Sequence, residues 1–538
     1  MLSTALVLKL IRIKIAHIMD ERQPLVSQPR KEGSQESSKS GSVLSDGDLK
    51  HARWLLYISH TFNQFSEQSW QFSVALFLAA FTDNTSLILV TSYGLVTYSF
   101  VCVFGSSVGR YIDKSNRLAV AQKLIGFENL AVLTATFMCY ILLSEDNSGS
   151  LYNTKSIFLL ASIHLLGAVA MILDSGFLVA VERDWIVVMS IVASKIPKSG
   201  SIKTKEEEKR IQTDWLCDTN VKMRQIDLSC KILAPAVSGI YIALLSDGMS
   251  GHGYDLRGAT LIVGGINVTA LIVEYICTAK IYNQIPELSL KSIGETGEEE
   301  CNTEVGSDRN GLEAVKKKEG ASKPKILVDL EVYFSQSICW AGLSLALLYT
   351  NVALSFGNIM TVYLVWRGIG LEAIGLWRGV SSAMGLAGTF VYHIMAQKIG
   401  LVDLGMISVI FEFLCLAVCF GSLFIYNNEL FFILLIAGVC FSRIGLWVFD
   451  ISVTQLMQLH IPAHVRGLVG GVQQSLNAFF TVLIYVVGLF ISDPENFKYY
   501  ASCSFGGVTL AAIFYGVMVF LRKRIFTSSN NDNNKSPV

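Results

Sequence analysis

The feature that most constrains this chain is a series of apolar runs, each long enough to cross a bilayer. About 20 residues at ~1.5 Å each cover a ~30 Å hydrocarbon core. The first run is Trp54–Phe81. Others lie at about 87–109, 118–143, 156–181, 223–246 and 258–281, and the series resumes at about 338–365, 374–397, 401–425, 430–458, 467–491 and 499–521. Lipid offers the backbone no hydrogen-bond partner, so each run reads as a helix. The expectation is an all-α membrane protein with about twelve transmembrane helices. Composition agrees: 16% of residues are charged, against ~25% in a typical soluble domain. The formal net charge is zero, so nothing points to nucleic acid as a partner.

A polar stretch at about 286–325, with the basic run Lys316–Lys318, is too hydrophilic to pack a core and reads as a linker. The expected organisation is a tail (1–53), a six-helix bundle (54–283), a linker (284–330), a second six-helix bundle (331–523) and a tail (524–538). Residues 1–18 are apolar and basic, as in an interfacial helix or a weak targeting peptide. Glu21–Val26 is close to an acidic di-leucine sorting signal, with Val26 departing from it. Lys and Arg concentrate in both tails, in the linker and in alternate loops. The positive-inside rule therefore places both termini in the cytosol. Two sets of six spans around a cytoplasmic linker is the layout of the major facilitator fold, in which substrate sits between bundles near the midplane. Eleven cysteines are present, without a CxxC pair. They fall in spans or in loops assigned to the cytosol, such as Cys217 and Cys301, so no disulfide framework is expected.

The middle of the first span is polar: His60, Asn63, Gln64, Ser66, Glu67, Gln68 and Ser69 sit where lipid would be. An acid at mid-bilayer costs roughly 2.5–3.5 kcal/mol on insertion scales and must face a cavity or a partner. Glu128 and Asn129 lie in the third span, Asp227 early in the fifth, and Asn267 and Glu274 on one face of the sixth. Such hard oxygen donors suit divalent cations, and buried like charges require neutralisation. The plainer reading of each is a hydrogen-bonded packing residue or a solvated helix end. His60 fits either assistance at this site or core packing. A second set of polar groups lies at the cytoplasmic helix ends: Asp113 and Arg117 in the stretch Gly109–Arg117, then Glu182, Arg183, Asp184, Asn220 and Arg224. These can pair between helices and hold that side closed. Gly109, Asp113, Lys114 and Arg117 also fit the facilitator loop signature, whereas Asn116 replaces its second Gly.

The stretches LLYISH in the first span, VGRYIDKSNRL, VERDWIVV at 181–188, RxID…ILAP at 224–235, RIGLWVFDISVTQL at 443–456 and GGVQQSLN at 470–477 together resemble the ferroportin family of ferrous-iron exporters. The resemblance implies a metal site on Glu67 and Asp227. It also implies a calcium activator site on Glu67, Glu128, Asn129, Asn267 and Glu274, and a cytoplasmic gate on Asp113, Arg117, Asp184, Asn220 and Arg224. It departs in the second half: the vertebrate Cys and His of a further metal site correspond to Asn358 and Ile484. That removes the residue on which the hormone hepcidin depends, so no hepcidin-type hormone is expected, and a non-vertebrate member is indicated.

The expected function is therefore secondary export of a divalent transition metal, chiefly Fe²⁺, from the cytosol by alternating access. Co²⁺ and Ni²⁺ are further cargoes, because oxygen donors discriminate poorly among such ions. A proton-coupled facilitator for a small organic solute is the alternative, and a non-transporting receptor or scaffold is a third class. No nucleophile elbow, phosphate-binding loop or HExxH is present, so neither an enzyme, a prosthetic group nor an ATP-driven pump is expected. The expected partners are the metal ion and the lipid bilayer, with no nucleic acid, and a monomer is the default. The plasma membrane is the expected location, with vacuolar or endosomal membrane as the alternative.

Overall fold

The computed structural model describes residues 45–81, 88–144, 153–196, 204–246, 256–290, 324–490 and 494–533. The expectations for residues 1–18, for Glu21–Val26, for Cys301 and for most of the linker fall outside these residues. Everything regular in the described residues is helical. In the first half, α1 is Asp46–Phe81, α2 Ile88–Lys114, α3 Arg117–Ser144 and α4 Thr154–Leu178. A wide π-helical turn, Val179–Trp185, carries α4 directly into α5, Ile186–Lys195. Then come α6, Lys205–Ser246, and α7, Leu256–Gln284. In the second half, α8 is Lys325–Ser335, α9 Cys339–Leu348, α10 Asn358–Trp366, α11 Leu371–Ile399, α12 Leu401–Ser422, α13 Asn428–His460, α14 Arg466–Phe490 and α15 Phe497–Asn533.

Local chemistry explains the helix starts. Ser45 and Asp48 cap α1 reciprocally: Asp48 N–H donates to Ser45 Oγ at 3.1 Å, and Ser45 N–H to Asp48 Oδ2 at 3.2 Å. The Ser45 side-chain bond holds the Asp48 carboxyl below its usual range. Asn116 accepts from the N–H groups of Leu118 and Ala119, so the residue that departs from the loop signature caps α3. Thr204 and the acids Glu206, Glu207 and Glu208 open α6 at the positive end of its dipole.

Eight helices among the described residues are long and apolar enough to span a membrane. The expected first span is helical but too polar in its middle to meet that measure. The expected seventh span is not continuous. It breaks between Leu348 and Asn358, where Thr350 and Ser355 bond back to the carbonyls of Leu347 and Val352 and so compete with the helical ladder. Between the expected fourth and fifth spans, which leave 182–222 as a loop, the described residues are mostly helical. Trp185, Ile186, Val187 and Met189 are fully buried, which draws the chain on through the wide turn.

Each half packs mainly on itself. In the first, α1 lies against α6 and α7, and α3 against α4 and α7; in the second, α13 lies against α11 and α12, and α9 against α15. The halves meet along α2–α14 and α6–α11. The α2–α14 seam is made by glycines one turn apart on each helix. A Cβ on Gly109 would lie 2.2 Å from the Gly467 carbonyl oxygen, and one on Gly471 would lie 2.3 Å from that of Gly105. Here the two backbones themselves leave no room for a methyl, and small residues provide that approach within a membrane. Large apolar side chains such as Phe127, Phe137, Phe158, Leu261 and Leu376 point outward, as a lipid-facing belt requires.

Candidate metal centre and inter-bundle contacts

The polar middle of α1 is turned inward. His60, Asn63, Gln64, Ser66 and Glu67 are all buried, while Trp54, Ile58 and Phe62 face out. Around Glu67 stand three more buried carboxylates: Glu128 from α3, Asp174 from α4 and Glu274 from α7. Asn63 Nδ2 donates to Asp174 Oδ1 at 3.2 Å, Gln71 Nε2 to Glu67 Oε1 at 2.8 Å, and Asn267 Nδ2 to Ser66 Oγ at 3.4 Å. Glu128 lies within electrostatic reach of Asp174, Glu274 and Glu67 together. Glu128 Oε2, Glu274 Oε2 and Asn267 Oδ1 are buried without a hydrogen-bond partner. Asn129 instead donates to the Ile125 carbonyl of its own helix, leaving its oxygen for other use. Four acids and unpartnered oxygens buried close together are unfavourable alone and suit a multivalent cation or protons.

Asp174 is the member that sequence reasoning missed. The signal was present, since a lone acid in AMILDSGFLV carries the same insertion cost as Glu67.

Asp227 is not part of this cluster. It bonds His60 Nε2 at 2.5 Å and Arg224 Nη1 at 2.7 Å. His60 is seven residues before Glu67 on α1, about 10 Å along the axis. Glu67 and Asp227 therefore belong to successive levels of one polar column in this conformation, and Asp174 senses the charge of both. The lower level contains a second donor set: one ligand atom each from His60, Glu182 and Asp227, all within 4.8 Å of one another. Glu182 comes from the wide π turn, a distortion frequent at functional sites.

Of the remaining candidates, Arg117 and Asp184 pair within the first half and the others lie where the halves meet. Arg117 forms a bidentate pair with Asp184 at 2.6 and 2.9 Å, and also donates to the Leu288 carbonyl. This fork fixes α3 to the wide turn inside the first half. Asp113 crosses to the second half, where its two oxygens accept from the N–H groups of Gly467 (2.7 Å) and Leu468 (2.6 Å). It thus occupies the N-terminus of α14, where unpaired N–H groups and the helix dipole favour an anion. Asn220 exchanges hydrogen bonds with Gln458, whose amide also donates to the Glu182 carbonyl at 2.7 Å. Arg224 holds Asp227 with one nitrogen and lies 2.8 Å from Asp450 of α13 with the other. Gln455 reaches the Thr213 carbonyl at 2.8 Å. Asp450, Gln455 and Gln458 lie within or just beyond the stretch RIGLWVFDISVTQL noted from sequence, but nothing local marks them as partners of α6. The two halves are drawn together at this end of the molecule.

In the second half, Ile484 is buried in the apolar core and Asn358 opens α10. The break before α10 is held from α13, where Arg443 donates to the Leu354 carbonyl at 3.3 Å. Glu412 of α12 is fully buried, with Arg443 the nearby opposite charge.

Comparison with known proteins adds the following. The family model described as Ferroportin1 (FPN1) matches residues 50–201 and 209–508. "Solute carrier family 40 member 1" of Arabidopsis thaliana is 30% identical over 493 residues, 88% of either chain. "Ferroportin" of Homo sapiens is 26% identical over 551 residues, 87% of this chain and 91% of that one. A solved structure of a bacterial homologue of iron transporter ferroportin, outward-facing and with soaked iron, has a TM-score of 0.68 at 20% identity, covering 87% of this chain and 99% of that one. The inward-facing state of a bacterial homologue scores 0.55 at 19% identity, with the same coverage. These structures share the fold of this chain.

Proposed function

The chain belongs to the ferroportin family, and from that premise we propose that it exports a divalent transition metal, chiefly Fe²⁺, from the cytosol by alternating access between two six-helix bundles. Both termini and the linker are read as cytosolic, with the broken α9–α10 stretch as the seventh of twelve spans. The plasma membrane is the proposed location, with a vacuolar or endosomal membrane equivalent in topology.

The observation that carries the reading is Arg224. One guanidinium joins Asp227, beside the His60–Glu182 donor set, to Asp450 of the opposite bundle. A cation that takes Asp227 neutralises the charge holding Arg224 on that side, so cargo binding and bundle contact share one residue. With the cytosolic end closed by Asp113, Asn220 and Arg224, the conformation faces the far side. For cargo to enter from the cytosol these contacts must part, and they re-form behind it. The donor set combines imidazole with carboxylates, which suits Fe²⁺, Co²⁺ and Ni²⁺. A metal that takes both His60 and Asp227 displaces the proton of their hydrogen bond to solvent, and a proton returns to them from solvent when the metal leaves, which gives proton counter-movement a route.

The upper cluster suits Ca²⁺, which takes about six to eight oxygen ligands. Glu67, Glu128, Asp174, Glu274 and the Asn129 and Asn267 oxygens would hold it. Bound there, the ion would neutralise the acids and tie α1 to α3, α4 and α7. Asp174, which lies within electrostatic reach of both Glu67 and Asp227, links the activator level to the cargo level.

The test is efflux from metal-loaded proteoliposomes. Fe²⁺ and Co²⁺ should leave; Asp227→Ala should reduce the rate by roughly a hundred-fold, the scale of a lost metal-site group, and Glu67→Ala should reduce it through the loss of the upper cluster. Normal export by both variants refutes the assignment of the site. Movement of an organic solute without metal refutes the assignment of the cargo.

A further inference from the structure

A second mixed donor set lies outside the central column. Cys217 and Asp218 of α6 meet His393 of α11, and the thiol sulfur, a carboxylate oxygen and an imidazole nitrogen lie within 4.8 Å of one another. His393 Nδ1 is 3.5 Å from Asp218 Oδ1. The two groups are about half exposed, so solvent ions reach them, while Cys217 is buried against Val221, Tyr392 and Val448. The three ligands come from opposite bundles, on the seam also closed by Gln225 and Thr389. Nothing in the export reading uses them.

We propose that Cys217, Asp218 and His393 form a regulatory site for a borderline divalent cation such as Zn²⁺ or Co²⁺, and that the bound ion holds the cytosolic end closed. Thiolate, imidazole and carboxylate are the three protein ligands such ions take in tetrahedral coordination, with water in the fourth position. Ligand atoms around one such ion stand about 3.3–3.8 Å apart, given metal–ligand distances of ~2.0–2.3 Å. Rotation of the two half-exposed side chains closes the remaining gap. Because α6 and α11 must separate when the cytosolic end opens, the site exists only in the closed state. A ligand with affinity for one state alone shifts the population to it. Cytosolic metal in excess would therefore slow the exporter through a site that never carries cargo. The regulatory part of the proposal rests on the alternating-access reading; the binding part does not.

The test uses the full chain in detergent, titrated with Co²⁺ as the probe. A thiolate-to-cobalt charge-transfer band is expected in the native protein and equally in the Glu67→Ala, Asp227→Ala double variant, which lacks the central ligands. The band should vanish in Cys217→Ser, and His393→Ala should weaken binding by roughly ten-fold or more. No band in the native protein, or one that survives Cys217→Ser, overturns the site. In proteoliposomes loaded with Fe²⁺, Zn²⁺ on the face of Cys217 should slow efflux by native protein and not by His393→Ala. Equal inhibition of both overturns the regulatory role. A cobalt band in a protein that moves no metal at all leaves the site standing and refutes the export reading instead.

Discussion

Arg224 is the residue that ties the two bundles through a pair of carboxylates. Its guanidinium spans Asp227 and Asp450, which sit on different bundles. Removing either acid does different things. Asp450→Ala leaves the Arg224–Asp227 pair intact, so the charge stays compensated and the fold persists, but the cross-bundle tie is gone. Hydrogen exchange along residues 213–227 should rise several-fold, the scale of about 1 kcal/mol; unchanged exchange there would rule out a tie at this position. Residue identity also decides what the second half lacks. Ile484 is packed in an apolar core and offers no donor. Asn358→Cys together with Ile484→His should tighten Co²⁺ binding by roughly ten-fold or more, because thiolate and imidazole are stronger ligands than amide and alkyl groups. Isothermal titration that shows no gain would mean that the α10 start and α14 do not face each other closely enough to share an ion.

Among the elements, the α2–α14 pair brings the two halves into backbone contact. Lipid tails are as apolar as leucine, so helices in a bilayer associate through close packing and not through water exclusion. Gly105, Gly109, Gly467 and Gly471 bring two backbones into contact, and Asp113 then reaches the first N–H groups of α14. Gly471→Val inserts a branched side chain where even a methyl would lie 2.3 Å from the Gly105 carbonyl oxygen. Overpacking of this kind costs about 1–3 kcal/mol or more, and the cost falls only on the closed state. Efflux should fall while helicity by circular dichroism stays native; full efflux would mean that the seam need not close. The helices themselves were readable from apolar runs; the caps at Ser45 and Asn116, and with them the start of α1 at Asp46, were not read. The wide turn Val179–Trp185 and the interruption after Leu348 were not readable. Both replace one local hydrogen-bond pattern by another of similar strength, and the choice is made by neighbours such as Arg443.

On the scale of the whole molecule, two halves of helices meet along a seam tightened at the end that carries Asp113, Asn220 and Arg224. That end is the one with more Lys and Arg in its loops, hence the cytosolic assignment. Epitope tags at both termini should be accessible only after the membrane is permeabilised; a tag read from outside intact cells would invert the topology and the direction of transport.

The sequence by itself determined that the chain is helical and built for a membrane, because span-length apolar runs leave the backbone no other way to satisfy its hydrogen bonds. It also singled out Glu67, Glu128, Asp227 and Glu274, because an acid in an apolar run needs a reason to be there. Tertiary structure alone decided which of these acids meet. It set Glu67 with Glu128, Asp174 and Glu274, and gave Asp227 to His60 and Arg224. It also paired Asp113 with backbone N–H groups where a charged side chain was the natural guess. The reason is geometric: a helix fixes which residues share a face, whereas the partner of that face depends on the rotation and depth at which another helix packs, and no local pattern encodes either.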